Sequence, residues 1–411
     1  MGGLQIEASA EEVGFDAGRL ARLSAHMRRY VDDGRLPGWT TVVARHGKVV
    51  HLENYGLRDI EAGLPIEDDT IFRIYSMTKP ITSVAAMMLW EEGGFELKDP
   101  LHRYVPSFRE TRVWRGGSST APVTEPQRDQ IQLWHLLSHT AGLTYGFMYA
   151  HPVDTLYRQG GFEWGAPRDK SLAEVCDQFA AFPLLFQPGT EWSYSVATDV
   201  VGRVIEVVSG MPLDEFFRTR IFEPLGMTDT AFHVAAGDQH RLASLYVPRP
   251  GTRQAMAAPV TGEAAKRAPT FLSGGGGLVS TAHDYHRFTE MLRRGGELDG
   301  VRLLAPRTVA LMASNHLPGG SDLTSFGRAL FSETAFDGVG FGLGFSVALD
   351  PVAGKVAGPA GEYAWGGAAS TAFWVDPVND LTVQFMTQLL PSSAHPIRSQ
   401  LKQLVYQAMV D

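Results

Sequence analysis

Apolar residues recur at helical spacing through residues 10–35, where Leu20, Leu23, Met27 and Tyr30 share one face. Two strand-like runs follow, at 39–44 and 49–55, and Gly47 between them fits a hairpin turn. A short apolar run, IFRIYS at 71–76, leads into a helix whose face carries Ile81, Val84, Ala85, Met88 and Leu89 and which ends at Gly93–Gly94. From 96 to 270 the pattern changes. Helical periods appear at 129–138, 171–180, 196–209 and 213–222, with Gly210 as a stop, and strand signals are weak. The C-terminal part returns to β-rich runs at 341–349, 370–377 and 381–388, and a final helix covers 395–410. Sheet at both ends with helices between predicts an α/β domain (1–95 and 271–411) interrupted by a mainly helical one (96–270), with the site at their boundary.

Composition narrows the function. The 411 residues are 44% hydrophobic and 20% charged, which is ordinary for a globular chain. The net charge of −9 supplies no basic field for phosphates, so no nucleic-acid partner is expected. Cys176 is the single cysteine, which excludes an internal disulfide. No run reaches the ~18 apolar residues of a membrane span, and the N-terminus lacks a basic segment followed by an apolar one. A cytoplasmic location and no membrane partner are therefore expected.

The chemistry concentrates at Ser76-Met77-Thr78-Lys79. Most of the 36 basic residues are arginine, so a lysine three places after a serine stands out. A second such pair, Ser399–Lys402, lies inside the C-terminal helical pattern and reads as a solvated face. Ser76 instead lies where a strand-like segment becomes a helix. Free N–H groups and the positive dipole end there favour an alkoxide or oxyanion. Residues i and i+3 share a helix face, which brings Lys79 beside Ser76. An amine that has lost its hydration can accept a proton. Spacing alone also fits a capping serine with an exposed lysine. The His135–His139 and His283–His286 pairs lack a third ligand and read as structural. No metal is expected. G-x-S-x-G and the glycine-rich nucleotide loops are absent.

Six segments in order resemble the serine hydrolases with the fold of class C β-lactamases and D-alanyl-D-alanine carboxypeptidases, and more narrowly the family VIII carboxylesterases. They are FRIYSMTKPITSVAAMMLWEEG, LWHLLSHTAGL, FQPGTEWSYSVATDVVGRVIE, PLGMTDT, SGGGGLVSTAHDYHRF and AWGGAAS. The resemblance spans residues 12 to 410 and implies an antiparallel sheet flanked by helices, with the helical domain inserted. It implies Ser76 as nucleophile, with Lys79 and Tyr194 as its proton-transfer partners, and leaves open which of the two is the base. It implies an oxyanion hole from the N–H groups of Ser76 and Ala368, and substrate contact along Trp365, Gly366 and Gly367.

Where the lactamases carry Lys-Thr-Gly, this chain has Trp365-Gly366-Gly367. An indole in place of a cation favours neutral esters over anionic lactams. Ser138, His139, Trp192 and Phe271 read as supports of the site loops, and 321–342 as a surface loop with core anchors, the alternative being one wall of an acyl pocket. The expected function is a cofactor-free serine carboxylesterase acting on small-molecule esters of short to medium acyl length. The alternatives are a β-lactamase or D-aminopeptidase-like hydrolase, an acyltransferase using the same residues, and a non-catalytic sensor.

Overall fold

Strands β1 (Gly38–Arg45) and β2 (Lys48–Asp59) form the predicted hairpin. His46 and Gly47 join them with φ of 54° and 73°, the left-handed backbone a two-residue turn needs. The computed structural model describes residues 3–165, 169–328 and 336–411. β1 is buried throughout because it has a core on each side. Val42 and Ala44 join one hydrophobic cluster, and Trp39 and Val43 the other.

Later strands complete the sheet around this hairpin. They are β3 (Leu64–Pro65), β4 (Val339–Phe341), β5 (Ser346–Ala348), β6 (Tyr363–Gly366), β7 (Ala372–Asp376) and β8 (Leu381–Thr387). The order is β4-β5-β6-β7-β8-β1-β2-β3, with every neighbouring pair antiparallel. Pairing of β1 with β8 puts Val43 opposite Val383 and ties the chain's two ends together.

Helices cover both faces. On one, α1 (Ala17–Asp32) packs beside the C-terminal α5 (Ile397–Tyr406). Asp16 caps α1 by accepting the Arg19 N–H at 2.7 Å. On the other face lie α2 (Thr78–Glu91) and α4 (Ala282–Arg293), and α3 (Ala197–Ser209) packs on α2. Thr78 through Leu89 are all buried, which explains why α2 is apolar nearly all round.

Several elements differ from expectation. Residues 341–349 are not one strand. β4 and β5 form a hairpin, with Gly344 at φ 101° between them. The 129–138 pattern yields only the short helix Leu133–Leu137. Helix Leu213–Phe217 continues as a π turn, Arg218–Phe222. The helical stretch also holds a hairpin, Arg112–Ser118 with Ala121–Pro126. Most of its residues are exposed, so no apolar alternation marks it. Among the described residues, no helix is long and apolar enough to cross a membrane.

Candidate active site

The run 71–76 contributes only two strand residues, Phe72–Arg73, which pair with Val279–Ser280. A 3-10 turn, Tyr75–Met77, then feeds directly into α2. Tyr75 sits at φ 43°, a left-handed conformation that costs a bulky residue energy and survives only where surroundings enforce it. Those surroundings are visible. Tyr285 Oη donates to Met77 O at 3.0 Å, Leu278 N donates to Thr78 Oγ1 at 3.2 Å, and Thr82 Oγ1 donates to Gly274 O at 2.7 Å. The glycine-rich segment 273–277 thus clamps the start of α2, and Ser76 stands half-buried at its tip.

The three side chains named from the sequence meet here. Tyr194 Oη lies 2.6 Å from Ser76 Oγ. Lys79 Nζ lies 3.4 Å from the same oxygen. Lys79 is buried and donates further to Tyr145 Oη at 2.9 Å and to Gly275 O at 2.6 Å. Its Nζ also stands 4.5 Å from the centre of the Tyr194 ring. The three N–H bonds of an ammonium therefore match three acceptors.

Sequence reasoning did not reach Tyr145, Gly275 or Asp199. Asp199, in the first turn of α3, is buried and accepts from Ser273 Oγ at 2.6 Å and from Gly275 N at 2.9 Å. Gly275 thus donates its N–H to Asp199 while its carbonyl holds Lys79. Burial pushes the Asp199 carboxyl above the usual carboxylate range, opposed by the Ser273 hydroxyl, the Lys79 charge and the Gly275 N–H. Burial, then the charges of Tyr194 and Asp199, holds the Tyr145 phenol well above its ordinary range.

The supporting residues fall around Tyr194. His139 is buried with its ring 5.0 Å from that of Tyr194, and its Nδ1 is 3.1 Å from Ser195 Oγ. Burial, then the Lys79 charge, drives His139 well below the histidine range and keeps it neutral. Trp192 stacks on Tyr194 and meets His139 edge-on. Ser138 binds Thr140 and the Trp134 carbonyl, and Phe271 packs on the main core. His135 caps its own helix, its Nδ1 accepting the Gln132 N–H at 3.0 Å. Among the described residues no cluster of His, Cys, Asp and Glu could hold a metal ion.

On β6, Trp365 packs 5.4 Å from Tyr194 and 5.3 Å from Phe341. Its buried Nε1 has no partner among the described residues. A cavity of about 330 Å³ is lined by Ser76, Tyr194, Trp365, Gly366, Gly367 and Ala368. Phe336 and Val339 line it too, so part of 321–342 is a cavity wall, while Leu323 and Phe341 are core anchors. Residues 329–335 of that segment lie outside the described residues. Ser399–Lys402 departs from the solvated reading, because Lys402 pairs with buried Glu362 and lines the far end of the same cavity.

Known proteins share this arrangement of the chain. Esterase EstB of Burkholderia gladioli is 32% identical over 418 residues, covering 97% of this chain and 99% of its own. Lovastatin esterase of Penicillium rubens is 31% identical over 371 residues, covering 85% and 88%. The structure of EstCE1, described as a hydrolase with promiscuous acyltransferase activity, superposes with a TM-score of 0.78 at 29% identity and covers 95% of this chain and 99% of its own. The family model named Beta-lactamase matches residues 23–407, and the chain belongs to that family.

Proposed function

We propose that the protein hydrolyses carboxylic esters of small molecules through an acyl-enzyme on Ser76. The carrying observation is Ser76 Oγ placed 2.6 Å from a phenol and 3.4 Å from an amine at the wall of a cavity large enough for a small substrate. Tyr194, the nearer group, takes the serine proton as Oγ attacks the carbonyl carbon. Tyr194 accepts that proton as the phenolate and becomes the phenol, and Lys79, fixed by Gly275 and Tyr145, holds positive charge beside the phenolate before the transfer. The N–H groups of Ser76 and Ala368 receive the oxyanion. The carbon–oxygen bond to the alcohol then breaks, and Tyr194 returns its proton to the leaving oxygen. Water repeats the sequence on the acyl-enzyme and frees the acid.

EstB and the lovastatin esterase, both named for ester cleavage, support this reading. Trp365 in place of a lysine favours neutral esters, so a chromogenic cephalosporin should be a poor substrate beside p-nitrophenyl butyrate. On the same reading, 96–270 is an inserted helical lobe over an α/β lobe of 1–95 and 271–411, with Ser76 at their junction. The lone thiol, Cys176, is buried and reduced, which suits the cytoplasm.

The test is Ser76→Ala. Its kcat on p-nitrophenyl butyrate should fall at least about 1,000-fold, with labelling by a fluorophosphonate abolished. Retained activity would remove the assignment. The likeness to EstCE1 supports a second outcome from the same acyl-enzyme, transfer to an alcohol. Product analysis with added alcohol measures that partition.

A further inference from the structure

Aromatic rings continue outward from the catalytic tyrosine. Tyr145 lies 5.3 Å from Tyr194, centre to centre. Phe147 stacks on Tyr145 at 4.5 Å and 18° between planes. Trp164 stacks on Phe147 at 4.7 Å and 17°. The row leads from the buried centre to the surface, where Trp164 is 59% exposed. Phe147 also lines the cavity that holds Ser76, so the row is continuous with the cleft. Glu163, next to Trp164, accepts from the Tyr149 hydroxyl, and Arg158 lies 4.0 Å over the Tyr149 ring. The bend carrying Trp164 is thereby tied to the neighbouring loop.

Two facts bear on what this row is for. A large indole left this exposed, yet held parallel to its neighbour, is a surface that a flat apolar group can cover. The direction is set by the chemistry. The leaving oxygen must reach Tyr194 to take back its proton, so the alcohol half of an ester lies on the Tyr194 side. The acyl half stays on Ser76 after the alcohol departs, and the cavity walls of Trp365, Phe336 and Val339 are there to take it. An open shelf at the mouth suits the half that must leave first.

We propose that the row Tyr145–Phe147–Trp164 binds the alcohol half of the substrate, and that this half carries a flat aromatic or fused-ring group. The proposal rests on the ester-hydrolase reading above. It adds specificity and leaves the covalent steps unchanged: Ser76 Oγ still gains the acyl carbon, and the alkoxy oxygen still leaves with the proton from Tyr194.

The test uses the full chain and esters that share one half at a time. Ethyl acetate and 2-naphthyl acetate differ only in the alcohol, whereas p-nitrophenyl acetate and butyrate differ only in the acyl group. The quantity is kcat/KM, which reports steps through acylation, each variant being compared with wild type on the same ester. Trp164→Ala should lower the naphthyl-to-ethyl ratio roughly three- to tenfold, the size of one lost ring-stacking contact. Trp164→Phe should restore most of it, and the butyrate-to-acetate ratio should not move. An unchanged naphthyl-to-ethyl ratio would overturn the proposal, as would a loss that follows the acyl group instead. Wild type inactive on every ester would sink the hydrolase reading itself, so the two failures are distinguishable. Trp164 is exposed, so its truncation leaves the core intact, and circular dichroism checks this.

Discussion

At the residue scale, the site divides into what a motif can show and what only folding assembles. Ser76 and Lys79 stood out through serine–lysine spacing at a strand-to-helix junction, and Tyr194 through the family resemblance carried by FQPGTEWSYSVATDVVGRVIE. Asp199 leaves none, since an aspartate in a helix's first turn reads as an ordinary dipole-complementing residue. Gly275 acts through its carbonyl, which no residue type encodes. Yet Asp199 fixes the N–H of the residue whose carbonyl anchors Lys79. Asp199→Asn keeps the shape and an Oδ1 that can accept from both Ser273 Oγ and Gly275 N, and removes the carboxylate charge from those two hydrogen bonds. We expect kcat on p-nitrophenyl butyrate to drop roughly 10- to 100-fold, the scale of one hydrogen bond to a charged group. KM and the melting temperature should change little. A kcat equal to wild type would show that the Gly275 carbonyl holds Lys79 without help.

At the element scale, periodicity found most of the sheet and missed pieces for physical reasons. β1, β7 and β8 were legible because their residues are buried and largely β-branched or aromatic, and β2, mostly half-buried, through its Val49–Val50 start and the turn before it. The 112–126 hairpin is mostly solvent-exposed, so its register comes from turn and hydrogen bonds, not from a buried face. β6 was visible only as the motif AWGGAAS, being four residues long and ending in glycine. Its two glycines are not equivalent. A Cβ on Gly367 would stand 2.4 Å from the Ile74 carbonyl oxygen and 2.3 Å from Thr371 Oγ1, where backbone cannot yield. A Cβ on Gly366 would first meet the Arg398 guanidinium, at 2.5 Å, the end of a long side chain that can shift at the cost of its hydrogen bonds to the Gly367 and Thr371 carbonyls. Gly367→Ala should therefore displace the turn next to Ser76. The expected result is a loss of esterase kcat/KM of at least about 100-fold and a lower melting temperature. Gly366→Ala should cost about tenfold or less. Equal effects from both would mean that the Ile74 carbonyl is not fixed in place.

For the whole molecule, one core cluster runs from the sheet through α2 into the helical stretch, so the site and the fold share their buried groups. That sharing has a pH consequence. Burial holds His135 down at about 4, against an ordinary value near 6.5. His139, beneath Tyr194, is also held well below that value, by burial and then by the Lys79 charge. Both are neutral in the folded chain and take up protons freely once it unfolds. Below pH 6.5 the unfolded state therefore binds more protons than the native one, and stability falls as pH falls. For His135 the loss runs from about pH 6.5 down to about 4, at ~1.4 kcal/mol per pH unit at its steepest. His139 adds to it over the same span and further. Asp199 acts in the opposite sense, since its raised carboxyl makes the native state take up protons first above the ordinary aspartate value. His51, His151, His286 and His395 are lowered by burial as well, so the imidazoles outweigh this carboxyl and the net is a loss. Urea unfolding midpoints should drop steadily between pH 7 and 4.5, and His135→Gln, whose amide oxygen can still accept the Gln132 N–H, should make the drop shallower. A midpoint independent of pH in that window, in a protein that unfolds in one step, would mean that these imidazoles are protonated while still folded. His139 would then be a cation beneath Tyr194, and the charge balance around Ser76 would have to be redrawn.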